Sequence, residues 1–133
     1  MAVKPDRIVL DRLDRDLIAW LCTVRPDGSP HLIPVWFLFR DHAWWISSAA
    51  ASRKVRNLAA DPRVSLALES AGTAPVVAEG RARIHQEPFP REVVSGFKGK
   101  YGGWDITLPV SPGSPRVLLE VPVTRWLLAG EAQ

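Results

Sequence analysis

The chain has 133 residues, of which 47% are apolar and 23% charged, and a formal net charge of +3 at pH 7. That length suits one domain over residues 1–133 and leaves no room for a separate catalytic domain, while the ordinary composition argues against disorder and low-complexity structure. The positive charge is modest and no run of five cations occurs, which speaks against nucleic acid and for a small anionic ligand, since two or three placed cations suffice to hold one.

Residues 1–13 alternate charged with apolar side chains, unlike the continuous apolar core of a secretory leader, so a cytoplasmic protein is expected. Within them, Ile8, Val9, Leu10 and Leu13 give residues 6–14 the pattern of a short amphipathic helix, read as a lid on one end of the fold. Residues 17–24 form an apolar strand containing the single cysteine, Cys22, expected to be a buried thiol with no partner for a disulfide or metal site. Pro26-Asp27-Gly28 supplies hairpin turn chemistry, and residues 31–39 are the return strand. The apolar run 32–39 contains Pro34 and falls far short of the roughly 20 residues of a bilayer span, so no membrane segment is expected.

After the break at Arg40-Asp41-His42 comes a third strand, residues 43–48, whose adjacent Trp44 and Trp45 must point to opposite faces. Residues 52–60 change to helical period, with Ser52 as N-cap and Asp61-Pro62 as stop. Strands follow at 64–69 and 76–85 around a turn at 70–73, then a helical stretch at 88–101 and a sixth strand at 117–123. Gly99, Gly102 and Gly103 around Tyr101 suit either a mobile flap or a helix terminus. Six antiparallel strands with short turns and small helices predict a mainly β protein, a closed or nearly closed barrel. The six tryptophans suggest a pocket wall or a subunit interface, and hence a dimer.

The sharpest chemical signal lies in residues 47–57, where Ser47, Ser48 and Ser52, three alanines, and the cations Arg53, Lys54 and Arg56 cluster at the handover from strand to helix. Open amides at a helix start, its positive dipole end and adjacent formal charges together make a seat for one phosphate group. The competing reading is a capped helix with solvated arginines. His31, His42 and His85 have no metal-ligand spacing, and no Gly-x-Ser-x-Gly elbow is present, so no metal site and no serine hydrolase are expected.

These residues resemble the pyridoxamine 5′-phosphate oxidase-like split-barrel flavoproteins. The resemblance is carried in order by residues 23–31, Pro34-Val35-Trp36-Phe37, Ser52-Arg53-Lys54 with Asn57-Leu58, Asp61-Pro62-Arg63-Val64, Glu79-Gly80-Arg81-Ala82 and Trp104-Asp105. It implies a six-stranded antiparallel FMN-binding split barrel with short flanking helices, working as a homodimer with the cofactor at the interface. The cofactor phosphate would meet Ser52, Arg53 and Lys54, with Asn57 contributing from the helix. Pro34, Val35, Trp36, Ser47 and Ser48 would line the ring, and Tyr101 and Trp104 would come from the partner subunit. The chain lacks the Trp-x-x-x-x-Arg-Leu segment of the vitamin B6 oxidases, having Val123-Thr124-Arg125-Trp126-Leu127 near its end. Its spacing is more similar to the actinobacterial branch that uses the deazaflavin coenzyme F420, which makes F420 the first expected cofactor and FMN the second.

The expectation is therefore an oxidoreductase that passes hydride between the reduced cofactor and a small unsaturated organic substrate. The cofactor supplies the chemistry, and no catalytic residue is assigned. The alternatives are a carrier or storage protein for the same cofactor, and a haem-handling protein.

Overall fold

The structure, a computed structural model, describes residues 4–70 and 72–131; the expected turn at 70–73 lies partly outside the described residues. The elements are α1 (Arg7–Arg15), β1 (Ala19–Val24), β2 (Pro30–Val35), β3 (Leu38–Arg40), β4 (Ala43–Ala49), α2 (Arg53–Ala60), β5 (Arg63–Leu68), β6 (Val76–Arg81), β7 (Arg83–His85), α3 (Arg91–Lys100) and β8 (Arg116–Ala129). α1 starts where the Asp6 carboxylate accepts the Val9 N–H at 2.9 Å, and its Val9 and Leu13, one turn apart, are buried in the core. The β1–β2 hairpin closes through Gly28 at φ +87° and Asp27, whose carboxylate accepts the Ser29 N–H at 2.9 Å and the Ser29 hydroxyl at 2.6 Å.

All strand pairs are antiparallel, in the order β2-β1-β5-β6-β8-β4-β3, with β7 also pairing β8. The two ends of this order, β2 and β3, are joined in the chain only by Trp36 and Phe37, so the sheet must curl until its edges approach. The result is a barrel split between β2 and the β3–β4 pair. β8 serves both walls: Arg116–Pro122 pairs β4, and Val123–Ala129 pairs β6.

The expected six strands are eight because two of them break. The strand at 31–39 divides at Trp36-Phe37, where the Phe37 N–H and C=O both bond the Tyr101 hydroxyl instead of a neighbouring strand. The strand at 76–85 divides at Ala82, whose N–H donates to the Pro62 carbonyl at 2.8 Å. Just before it, Gly80 passes so close to β8 that a Cβ would lie 2.4 Å from the Pro122 carbonyl oxygen, and the β6–β8 register shifts between Val77 and Ala78 and again between Glu79 and Gly80. β8 also runs on to Ala129, beyond the expected end at residue 123.

Leu21, Phe37, Trp44, Ile46, Leu66, Leu119 and Val121 fill the barrel interior. Each large apolar side chain so enclosed contributes about 1.5–3 kcal/mol of burial free energy. Trp45 points the other way, into a second cluster with Val93, Phe97, Ile106 and Leu118 under α3, so the two adjacent indoles do occupy opposite faces. The glycine stretch after α3 is a helix terminus: Gly103 N–H bonds the Lys98 carbonyl at 2.8 Å. Cys22 is only half-buried, contrary to the expected buried thiol, because β1 turns Leu21 and Thr23 inward and the residue between them outward. No helix among the described residues is long and apolar enough to cross a membrane.

Candidate anion and cofactor site

The β4–α2 handover builds the site. Ser52 stands at the N-cap with extended backbone (φ −67°, ψ 156°), yet its side chain makes no capping bond. Its hydroxyl lies 2.9 Å from that of buried Ser48, while the Ser52 N–H closes the intervening turn on the Ala49 carbonyl at 3.1 Å. The first amides of α2 are thereby left without a side-chain acceptor. α2 is docked from its buried side by Asn57, whose amide donates to the Thr23 hydroxyl at 3.0 Å with both residues essentially inaccessible to solvent. The Asn57 Oδ1 atom is buried without a partner.

This docking brings the start of α2 beside the β1–β2 hairpin. His31, paired across the hairpin with Thr23, feels Arg25, Lys54 and Arg53, and burial together with those three cations pushes its pKa below the ordinary histidine value. Its Nδ1 is buried without a hydrogen-bond partner. Burial likewise pulls Lys54 down. Arg25 is pinned across its own hairpin, donating to the Pro30 carbonyl at 2.5 Å. Among the described residues, none of Arg25, Arg53 and Lys54 is ion-paired with a carboxylate. These three cations, none paired with a carboxylate, disfavour protonation of the imidazole beside them, and an anion bound among them would offset that field.

A second group lies on the outer face of β3 and β4. Trp36, 46% exposed, stacks on Tyr101 at 4.6 Å with 12° between the ring planes and meets Trp104 edge-on at 5.1 Å. The Arg116 guanidinium lies 5.2 Å from the Trp104 ring and 3.5 Å from the Ser47 hydroxyl. Tyr101 is fixed by its hydroxyl, which accepts the Phe37 N–H at 2.8 Å and faces the Leu17 and Phe37 carbonyls at 2.8 and 3.0 Å. Burial raises this phenol to about 12.

The residues expected to form one site thus fall into two groups. Ser52, Arg53 and Lys54 gather at the α2 start, with Ser48 as support. Trp36 and Ser47 belong to the outer aromatic group, together with Tyr101 and Trp104 of the same chain. Of the remaining expected residues, Pro34 is exposed on β2, whereas Val35 is packed into the core and Asn57 into the α2–β1 contact. Arg25 and Arg116 carry no site signal in the sequence, and His31 was weighed there only as a metal ligand. Only the hairpin register and the β4–β8 pairing place them here, although the turn beside His31 was itself legible.

The curled antiparallel sheet, split between β2 and the β3–β4 pair, is a fold shared with a solved pyridoxamine 5′-phosphate oxidase-like protein of Listeria innocua, 19% identical at a TM-score of 0.67. The family model for pyridoxamine 5′-phosphate oxidase matches residues 8–129, and the chain belongs to that family. Among solved structures, a conserved hypothetical protein of Mycobacterium tuberculosis is 27% identical, with 94% of this chain and 84% of that one covered and a TM-score of 0.72. An F420 reductase is 25% identical over 87% of this chain and 93% of its own, with a TM-score of 0.69. HutZ, the haem storage protein of Vibrio cholerae, is 14% identical over 98% of each chain at a TM-score of 0.74, a likeness of fold alone. No curated protein sequence matches the chain.

The Tyr101 hydroxyl ties α3 to the β2–β3 break and to the segment after α1. Tyr101→Phe leaves the Phe37 N–H without its acceptor and is expected to lower the unfolding free energy by about 1–3 kcal/mol, read from urea denaturation.

Proposed function

We propose that the chain is a cofactor-dependent oxidoreductase that binds the phosphate-bearing tail of F420, or in second place FMN, at the start of α2. The observation that carries this reading is the group of Arg25, His31, Arg53 and Lys54 gathered without a carboxylate partner beside uncapped helix amides. The donor set suits a phosphate: a helix N-terminus, a lysine and arginines supply charge-assisted bonds. The bound cofactor would supply hydride chemistry toward a small unsaturated organic substrate. The chain's own groups anchor the tail, present the flat surface of Trp36, and exclude water with the clasped Tyr101 and Trp104 rings.

A homodimer with the cofactor in the groove between two copies belongs to the same proposal. Its support is the exposed apolar surface on and beside the edge strand β2, with Leu32 60% and Trp36 46% exposed. A carrier role is separated from catalysis by turnover. Binding without reduction of added enones or quinones above the rate of free cofactor favours the carrier.

Titration of apo-protein with F420 and with FMN, followed by fluorescence, tests the seat. Lys54→Ala is expected to weaken the preferred cofactor by about 1–3 kcal/mol, and unchanged affinity removes the seat. The histidine gives a pH signature. Burial first, and then Arg25 from the hairpin and Lys54 and Arg53 from α2, disfavour its protonated form in the open seat. A bound phosphate anion opposes that field, so binding takes up a proton and tightens as pH falls through the histidine range, by up to roughly tenfold per pH unit for one proton. The phosphate monoester of FMN takes up a proton itself in this range, which opposes the trend in any variant, so the measurement is the difference in pH slope between the natural chain and His31→Gln. The dimer is tested by light scattering, with Leu32→Asp expected to shift the mass toward one chain.

A further inference from the structure

On the β8 side of β4 lies a cleft of about 410 Å³, bounded by Ala50, Gln86, Thr107, Pro109 and Arg116, with Glu87 also on its wall. Its volume falls within the roughly 300–1,000 Å³ of small-molecule sites. Its outer wall is a short, well-braced loop. Thr107 is bound to Asp105 through its N–H and hydroxyl at 2.9 and 2.6 Å, Val110 and Ser114 are joined at 3.0 Å, and the Pro115 carbonyl accepts the Ala50 N–H at 2.9 Å. Three prolines, Pro109, Pro112 and Pro115, stiffen it further.

Arg116 is the only cation among the lining residues described. Its Nε donates to the Leu108 carbonyl at 2.9 Å, Nη1 reaches the Ser47 hydroxyl only at 3.5 Å, and the guanidinium lies 5.2 Å from the Trp104 ring. One edge is thus held in place while Nη2 and most of Nη1 keep their donors free, in a planar fork that matches a carboxylate. No carboxylate is ion-paired with it among the described residues, and partial burial disfavours its charge. A ligand anion offsets that desolvation.

We propose that this cleft binds a small monocarboxylate with an apolar body, its carboxylate paired with Arg116. Ala50, Pro109, Pro115 and Val117 offer apolar walls for the body, and Gln86 offers an amide. Glu87 on the same wall sets the charge limit: it repels a dianion such as a phosphate monoester more than a monoanion. The site uses none of Arg25, His31, Arg53 and Lys54, so its occupancy is measured without any cofactor.

The test is amide shift mapping of the full-length chain titrated with benzoate and with its neutral analogue benzamide. Benzoate is expected to bind saturably and to move the amides of Ala50, Gln86, Thr107 and Val117, with benzamide at least roughly tenfold weaker. Arg116→Gln should lower benzoate affinity to the level of benzamide, and Arg116→Lys should fall between, whereas Arg53→Gln should leave it unchanged. Equal affinity for the two probes in the natural chain overturns the proposal. So does the absence of saturation, or a shift pattern centred on Arg53 and Lys54. The comparison of probes needs no variant and decides the matter even if Arg116→Gln fails to fold.

Discussion

The buried bond from the Asn57 amide to the Thr23 hydroxyl is the contact on which the arrangement of the site depends. Two uncharged polar groups inside an apolar core have no alternative partner, so removing either strands the other at a cost of about 1–3 kcal/mol. The bond sets where α2 lies against β1. Because Thr23 is also the cross-strand neighbour of His31, one contact fixes both the helix that carries Arg53 and Lys54 and the hairpin that carries Arg25 and His31. The proposed anion seat is a property of that juncture rather than of the Ser-Arg-Lys triplet alone.

Gathering cations in this way works against stability. Surface ion pairs elsewhere follow the ordinary pattern: Arg63 is bonded to Asp61 and holds that carboxyl to about 2, and Arg7 lies 3.3 Å from Asp11 one turn on. The α2 start instead leaves Lys54 partly enclosed and the His31 Nδ1 buried without a partner. Local self-repulsion maintained against the trend of the rest of the surface is what a binding site for an anion requires.

Much of this architecture was legible in the residues, and the exceptions have identifiable causes. The hairpin at Asp27-Gly28, the α2 period and the opposed Trp44 and Trp45 follow from local chemistry and strand alternation, and they stand as expected. The strand breaks at Trp36-Phe37 and Ala82 carry no turn residues; they are made by the Tyr101 hydroxyl, 64 positions away from Phe37, and by the Pro62 carbonyl. Thr124 and Arg125 hid the continuation of β8, since polar side chains on an outer face interrupt an apolar run without ending the strand. In the site, Ser52, Arg53 and Lys54 announced themselves by clustering in sequence. Arg25, His31 and Arg116 reach their places only through register, which no local pattern encodes.

β8 is hydrogen-bonded to β4 and β7 along its first half and to β6 along its second. It therefore acts as a shared spine: neither wall can detach from the other without breaking a strand of 14 residues in its middle. Opening fluctuations that loosen the cleft by Arg116, at the first residue of this strand, must stay short of the spine or unravel the whole molecule. A ligand entering the proposed cleft would accordingly do so by motion of the proline-braced loop rather than by parting the two walls.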